Sequence, residues 1–133
     1  MQVQPYLFFE GRCDEALEFY KEALGAKVNM LMRFKENPDT SCQGIDPDKI
    51  MHASFRIGET TIMASDGRCS GQQSYQGFAL SLTVASVEEA ECLFKALSEG
   101  GKVQMAMTKT FFSPSFGMTA DRFGVVWMVI VGG

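Results

Sequence analysis

The sequence predicts an α+β fold made of two copies of one βαβββ module, and three observations lead there. First, Asp14-Glu15-Ala16-Leu17-Glu18-Phe19-Tyr20-Lys21-Glu22-Ala23-Leu24-Gly25-Ala26-Lys27-Val28 is echoed by Glu88-Glu89-Ala90-Glu91-Cys92-Leu93-Phe94-Lys95-Ala96-Leu97-Ser98-Glu99-Gly100-Gly101-Lys102-Val103. Second, each copy follows an apolar strand-like run and precedes further such runs. Third, both helical stretches stop at glycine. Self-similarity on this scale marks a fold assembled from repeated supersecondary units.

The elements follow in chain order. Val3 to Phe9 reads as a first strand, with Pro5 near its start, where a missing N–H is tolerated. From Cys13 to Leu24 a helix places Ala16, Phe19, Tyr20 and Ala23 on one face and Glu15, Glu18 and Glu22 on a solvated one. Gly25 supplies its C-terminal stop. Lys27 to Phe34 is a second strand, and residues 35–48, with Pro38, Gly44 and Pro47, form a long polar loop. Ile50 to Ile57 and Thr60 to Ser65 are strands joined through Gly58-Glu59.

The second copy opens with Phe78 to Val84. Ser86-Val87-Glu88-Glu89 then spells a capping box, in which a serine oxygen and a glutamate satisfy the first free N–H groups of a helix. That helix turns Ala90, Leu93, Phe94 and Leu97 inward and stops at Gly100-Gly101. Strands near Lys102–Thr108, Gly117–Ala120 and Val125–Val131 complete it. The predicted organisation is one domain over residues 1–133, with a first module of about 1–66, a Gly/Ser/Gln-rich linker at 67–76 and a second module of about 77–133.

Composition narrows the function classes. With 46% apolar and 21% charged residues, 133 residues suffice for a sizeable core. A net charge of -4 offers no general attraction for nucleic-acid phosphates or anionic membranes, so neither is expected as a partner. No run approaches bilayer length, and the opening Met1-Gln2-Val3-Gln4-Pro5 lacks the regions of a signal peptide, so the expected location is cytoplasmic. Cys13, Cys42, Cys69 and Cys92 form no C-x-x-C pair, and with a single histidine they read as free thiols rather than a zinc site.

Two βαβββ units of this size resemble the vicinal oxygen chelate superfamily, the glyoxalase, bleomycin-resistance and dioxygenase group. Pro5-Tyr6-Leu7-Phe8-Phe9, Ala16-Leu17-Glu18-Phe19-Tyr20, Leu24-Gly25-Ala26, His52-Ala53, Ile62-Met63-Ala64-Ser65-Asp66 and Asp121-Arg122-Phe123-Gly124-Val125-Val126-Trp127 resemble its PhnB-like branch. The resemblance covers essentially the whole chain. It implies a cup-shaped mixed sheet with the helices outside, and a homodimer. Members of that branch often carry a demethylubiquinone-methyltransferase label. This chain has no glycine-rich nucleotide loop and is too short to add a Rossmann-type methyl-donor domain.

Metal-dependent members of the superfamily hold their ion with cup-facing residues on the first and last strands of each module, usually His, Gln and Glu. Carried over by strand alternation, with one residue inserted near Gly11, those positions fall on Gln4, Met63, Ala79 and Met128. A glutamine, two thioethers and a methyl do not suit a hard divalent ion. No cofactor is expected, and a divalent metal is disfavoured.

What remains is a cup lined by Gln4, Tyr6, Phe8, Met63, Ala79, Ser81, Trp127 and Met128, together with His52, Ser54 and Arg56 on one face of their strand. Imidazole exchanges a proton near neutral pH and guanidinium clamps oxyanions, which makes His52 the catalytic candidate; a structural histidine is the other reading. Trp127 likewise divides between pocket wall and core. Asp66 and Asp121 sit at turns, where aspartate bonds its own backbone. Two functions follow from this reading. One is a metal-free small-molecule binding protein of the bleomycin-resistance type. The other is a glyoxalase- or dioxygenase-like enzyme using His52 with Arg56, or a metal site of another kind.

Overall fold

The computed structural model describes residues 1–36, 46–67 and 71–132. Cys42 and Cys69, most of the polar loop after the second strand and part of the linker lie outside the described residues. The chain divides into two compact units, Met1–Gln73 and Ser74–Gly133.

The first unit runs β1 (Tyr6–Phe8), α1 (Cys13–Leu24), β2 (Lys27–Arg33), a 3₁₀ turn at Phe34–Glu36, β3 (Ile50–Ile57) and β4 (Thr60–Ser65). The second runs β5 (Leu80–Val84), α2 (Val87–Ser98), β6 (Lys102–Thr108), β7 (Phe116–Ala120) and β8 (Val126–Val131). Each builds a four-stranded sheet, ordered β1-β4-β3-β2 and β5-β8-β7-β6. In each sheet the first and last strands of the copy pair in parallel, while the other neighbours are antiparallel. The α+β fold of two βαβββ modules is therefore the observed one.

Both helices use the predicted faces. In α1, Ala16, Phe19 and Tyr20 are buried with Cys13 and Leu17, and in α2, Ala90, Phe94 and Leu97 are buried, while Ala23 and Leu93 on the same faces are only half-buried. Tyr20 stacks on Phe55 of β3 with ring centroids 5.8 Å apart. Gly25 ends α1 in the left-handed region at φ 67°, which costs a residue without Cβ nothing. Ser86 caps α2 by accepting the Glu89 N–H at 3.2 Å. Gly101 is required for another reason: a Cβ there would lie 2.1 Å from the Ala120 carbonyl oxygen.

Three expectations need correction. The first strand of each copy is shorter than predicted, starting at Tyr6 rather than Val3 and at Leu80 rather than Phe78. Pro5 has no N–H to donate, so the ladder gains there only its carbonyl, which accepts from Met63 N at 3.0 Å. The third concerns Asp66, which does not bond its own turn. Its Oδ1 accepts the N–H groups of Gly11 at 3.0 Å and Cys13 at 2.7 Å, and its Oδ2 that of Ile50 at 2.7 Å. This fully buried carboxylate caps α1, whose N-cap residue Arg12 makes no side-chain cap bond, and ties the helix to β3. The adjacent Cys13 thiol is pushed far above its usual range by burial, with the Asp66 charge adding to it.

The repeat also extends further than its helices. A register shift interrupts β2–β3 between Val28 and Met30, and another interrupts β6–β7 between Val103 and Met105. Lys27-Val28-Asn29-Met30 and Lys102-Val103-Gln104-Met105 thus carry the same bulge at the same point.

Candidate functional site

Strand alternation gives each sheet a helix-covered face and an opposite face, called here the open face. In the first unit Leu7, Ala53, Phe55, Ile62 and Ala64 are buried on the helix side. On the open face the register aligns Tyr6 of β1 with Met63 of β4, Ser54 of β3 and Met30 of β2. Beside that row Met32 pairs with His52, and beyond it Lys27 pairs with Arg56, which in turn pairs with Thr61.

The chemical centre of this face is the Tyr6–His52 pair. The Tyr6 hydroxyl lies 2.9 Å from His52 Nδ1, and the rings are 5.6 Å apart between centroids. Since β4 separates their strands, the two side chains reach toward each other across two inter-strand spacings, about 10 Å. A phenol is a strong donor and a neutral imidazole nitrogen a good acceptor, so the pairing favours O–H donation to Nδ1. In that arrangement Nε2 carries the ring proton and is a donor. Phe8, at 52% exposure, packs in a tilted arrangement against Tyr6 with centroids 4.9 Å apart and extends the aromatic surface.

In the second unit the corresponding row is Ser81, Met128, Met118 and Met105, from β5 through β8 and β7 to β6. Tyr6 opposite Met63 and Ser81 opposite Met128 are the same position in the two copies. By the same register His52, Ser54 and Arg56 correspond to Phe116, Met118 and Ala120. The three polar positions of β3 are therefore apolar in the second copy.

The structure thus gathers Tyr6, Phe8, His52, Ser54, Arg56 and Met63 on one open face, and Ser81 with Met128 on the other. Gln4 and Ala79 are half-buried residues just before β1 and β5. Trp127 departs from the expected lining. It points to the helix side of β8, 2% exposed, and its indole N–H donates to Asp121 Oδ2 at 3.0 Å. Asp121 Oδ1 also accepts from Phe123 N at 2.9 Å and Val125 N at 3.1 Å, so that carboxylate does close its own turn. Met30 and Met32 belong to the face although their positions were not singled out; the bulge at Asn29 hides their alternation with Lys27.

No group of His, Cys, Asp and Glu suited to a metal ion occurs among the described residues. Gln4, Met63, Ala79 and Met128, the positions that the resemblance implies for a metal, offer an amide, two thioethers and a methyl, and this set does not fit a hard divalent ion. At the α1 N-terminus the Gly11 and Cys13 N–H groups already donate to Asp66, so these two are not free for an anion. Elsewhere on the unit, Arg33 grips Asp14 in a bidentate pair at 2.9 and 3.0 Å, and this holds the Asp14 carboxyl below its usual range.

A sequence model of the family described as 3-demethylubiquinone-9 3-methyltransferase matches residues 1–130. Protein YjdN of Escherichia coli strain K12 is 39% identical over 140 aligned positions, which span 98% of this chain and 95% of that protein. The crystal structure of protein PA1353 from Pseudomonas aeruginosa superposes with a TM-score of 0.86 at 42% identity, covering 99% of this chain and 98% of that one. A glyoxalase/bleomycin resistance protein/dioxygenase family enzyme from Burkholderia phytofirmans PsJN reaches a TM-score of 0.63 at 14% identity, over 97% and 94% of the two chains, and that likeness speaks for the fold alone.

Proposed function

The chain belongs to the PhnB-like family described as 3-demethylubiquinone-9 3-methyltransferase, and for this member we propose a metal-free small-molecule binding protein of the bleomycin-resistance type. The observation that carries this reading is the residue chemistry at the repeat-matched positions. Met63 and Met128 occupy the same open-face place in the two copies, with Gln4 and Ala79 just ahead of the first strands. Thioethers there supply polarizable contact surface, which suits apolar and aromatic compounds. Tyr6, Phe8, Met30 and Met32 widen that surface, and His52 and Ser54 supply hydrogen bonds within it. The methyl transfer named by the family description finds no support at the β1–α1 junction, where the Gly11 and Cys13 N–H groups serve Asp66 and no glycine-rich loop precedes the helix.

A second reading rests on the 2.9 Å contact between the Tyr6 hydroxyl and His52 Nδ1. A histidine so oriented is equipped for proton transfer, and an enzyme using His52 with Arg56 follows from it. Elemental analysis of protein purified without chelator tests the metal-free reading, and the ligand affinity and turnover of His52→Ala test the catalytic one. The binding protein contains less than a tenth of a divalent ion per chain, and His52→Ala leaves that content unchanged. One tightly held ion per chain overturns the metal-free reading.

A further inference from the structure

We propose that Lys27 and Arg56 form an oxyanion subsite on the open face of the first sheet, so that the bound compound is an apolar or aromatic molecule carrying a carboxylate, sulfonate or phosphate-type group. This rests on the binding reading above and names its ligand class. The two residues are direct cross-strand partners on the same face of an antiparallel pair, and Arg56 has Thr61 as its partner on the other side. Like charges placed directly opposite one another destabilise a sheet, so a fold gains nothing from this pairing.

The surrounding charges sharpen the point. Every other described lysine or arginine of the first unit has a partner: Arg12 has Glu15, Lys21 has Glu18, Arg33 has Asp14, Lys35 has Asp48, and Lys49 donates to the Gly11 carbonyl. Among the described residues no carboxylate or carbonyl pairs with Lys27 or Arg56. Glu59, in the turn that follows β3, makes no ion pair with either. No acidic residue lies on the open face of β1, β2, β3 or β4.

The repeat provides an internal control. In the second copy the lysine is kept as Lys102, but Arg56 and Thr61 are replaced by Ala120 and Val126, with the same pairing and the same bulge. The module therefore folds without the guanidinium. The remaining polar groups of the first face agree with an acceptor-rich ligand. Ser54 lies one pair along from Arg56 on β3, and His52 Nε2 is a donor when Nδ1 accepts the Tyr6 O–H hydrogen bond. Along β3, Arg56 and His52 are about 13 Å apart between Cα atoms, the span of a two-ring compound lying over Ser54, Met30 and Met63. An oxyanion would meet the planar guanidinium side-on and the ammonium from the neighbouring strand.

The test uses two fluorescent probes of one skeleton, anionic anilinonaphthalene sulfonate and neutral phenylnaphthylamine, titrated against the full chain. The variants are Lys27→Gln with Arg56→Gln, and Arg56→Lys alone. Both side chains are exposed, and removing a like-charge pair leaves the thermal midpoint unchanged or raised, which confirms that the double variant is folded. The expected result is about a tenfold loss of sulfonate affinity in the double variant, with the neutral probe unmoved and Arg56→Lys, which keeps the charge but not the planar fork, losing less than the double variant. The sulfonate affinity of the wild type also falls with added salt, and that of the double variant does not. If the double variant keeps full sulfonate affinity, the oxyanion subsite is overturned while the binding reading stands. If the wild type binds neither probe, the binding reading itself falls.

Discussion

Replacing Asp66 should cost the protein more stability than replacing any of its surface charges. The carboxylate is fully buried and accepts backbone N–H groups from Gly11, Cys13 and Ile50 at 2.7–3.0 Å. Each buried donor left without an acceptor costs about 1–3 kcal/mol. Asp66→Ala strands three such donors at once. Water entering the vacated space restores part of the loss, which leaves an expected cost of about 4 kcal/mol. Asp66→Asn preserves the shape and keeps an oxygen for one side of the site. Its amide nitrogen, however, then faces a backbone N–H, so the expected cost is about 2–3 kcal/mol. Against a total stability of roughly 5–15 kcal/mol for an ordinary domain, either change is large. Urea unfolding followed by circular dichroism measures both, with the m-value as a check that the exposed surface is unchanged. Amide exchange adds a local readout, since the Cys13 and Ile50 N–H groups should lose protection first. If both variants lie within 1 kcal/mol of the wild type, the carboxylate is not the tie between α1 and β3 that its geometry indicates.

Two further outcomes follow. The Asp14 carboxyl is held below its usual value of 3.8 chiefly by its hydrogen bonds to Arg33, so its contribution to stability is present above that value and is lost as pH falls through the lower folded value. Asp14 is 55% exposed, so Asp14→Asn should cost only about 0.5–1 kcal/mol at pH 6, and the gap should close in acid; a gap unchanged at pH 2 contradicts the pairing. Trp127→Phe removes the buried indole N–H that donates to Asp121 Oδ2, which should lower stability by about 1–2 kcal/mol in chemical denaturation. The affinity for anilinonaphthalene sulfonate should not move, because Trp127 lies on the helix side of β8; a weakened probe would return it to the binding surface.

The elements that the sequence made legible are those whose signal is local. Ala16, Phe19 and Tyr20, and Ala90, Phe94 and Leu97, recur at the helical period, and all six are buried, with Cys13 and Leu17 beside them. Alternation along β3 separates Ala53 and Phe55 from His52, Ser54 and Arg56, and the structure keeps that division. The same period-two rule already places Trp127 and Met128 on opposite faces, so a lining that included both could not hold. What stayed illegible depends on chain separation. The Tyr6–His52 contact joins residues 46 positions apart across an intervening strand. The partners of Asp66 lie 16 to 55 positions away, and a Ser-Asp-Gly turn carries no mark of them. The bulge at Asn29 breaks the alternation that would have drawn Met30 and Met32 onto the open face.

The two copies together separate what the fold needs from what it carries. Shared between them are the parallel pairing of first and last strands, the helix over one face and the bulge after the lysine. These features recur with different neighbours, so they belong to the architecture. The helix caps are solved differently, by Asp66 across the chain in one copy and by Ser86 locally in the other, so the architecture accepts either. His52, Ser54 and Arg56 occur in one copy only, at places where the other has Phe116, Met118 and Ala120. A sheet that closes equally well with apolar residues there does not require an imidazole, a hydroxyl and a guanidinium on its open face. Their grouping in the first module, beside an unpaired Lys27, is therefore where the chemistry of this chain should be sought.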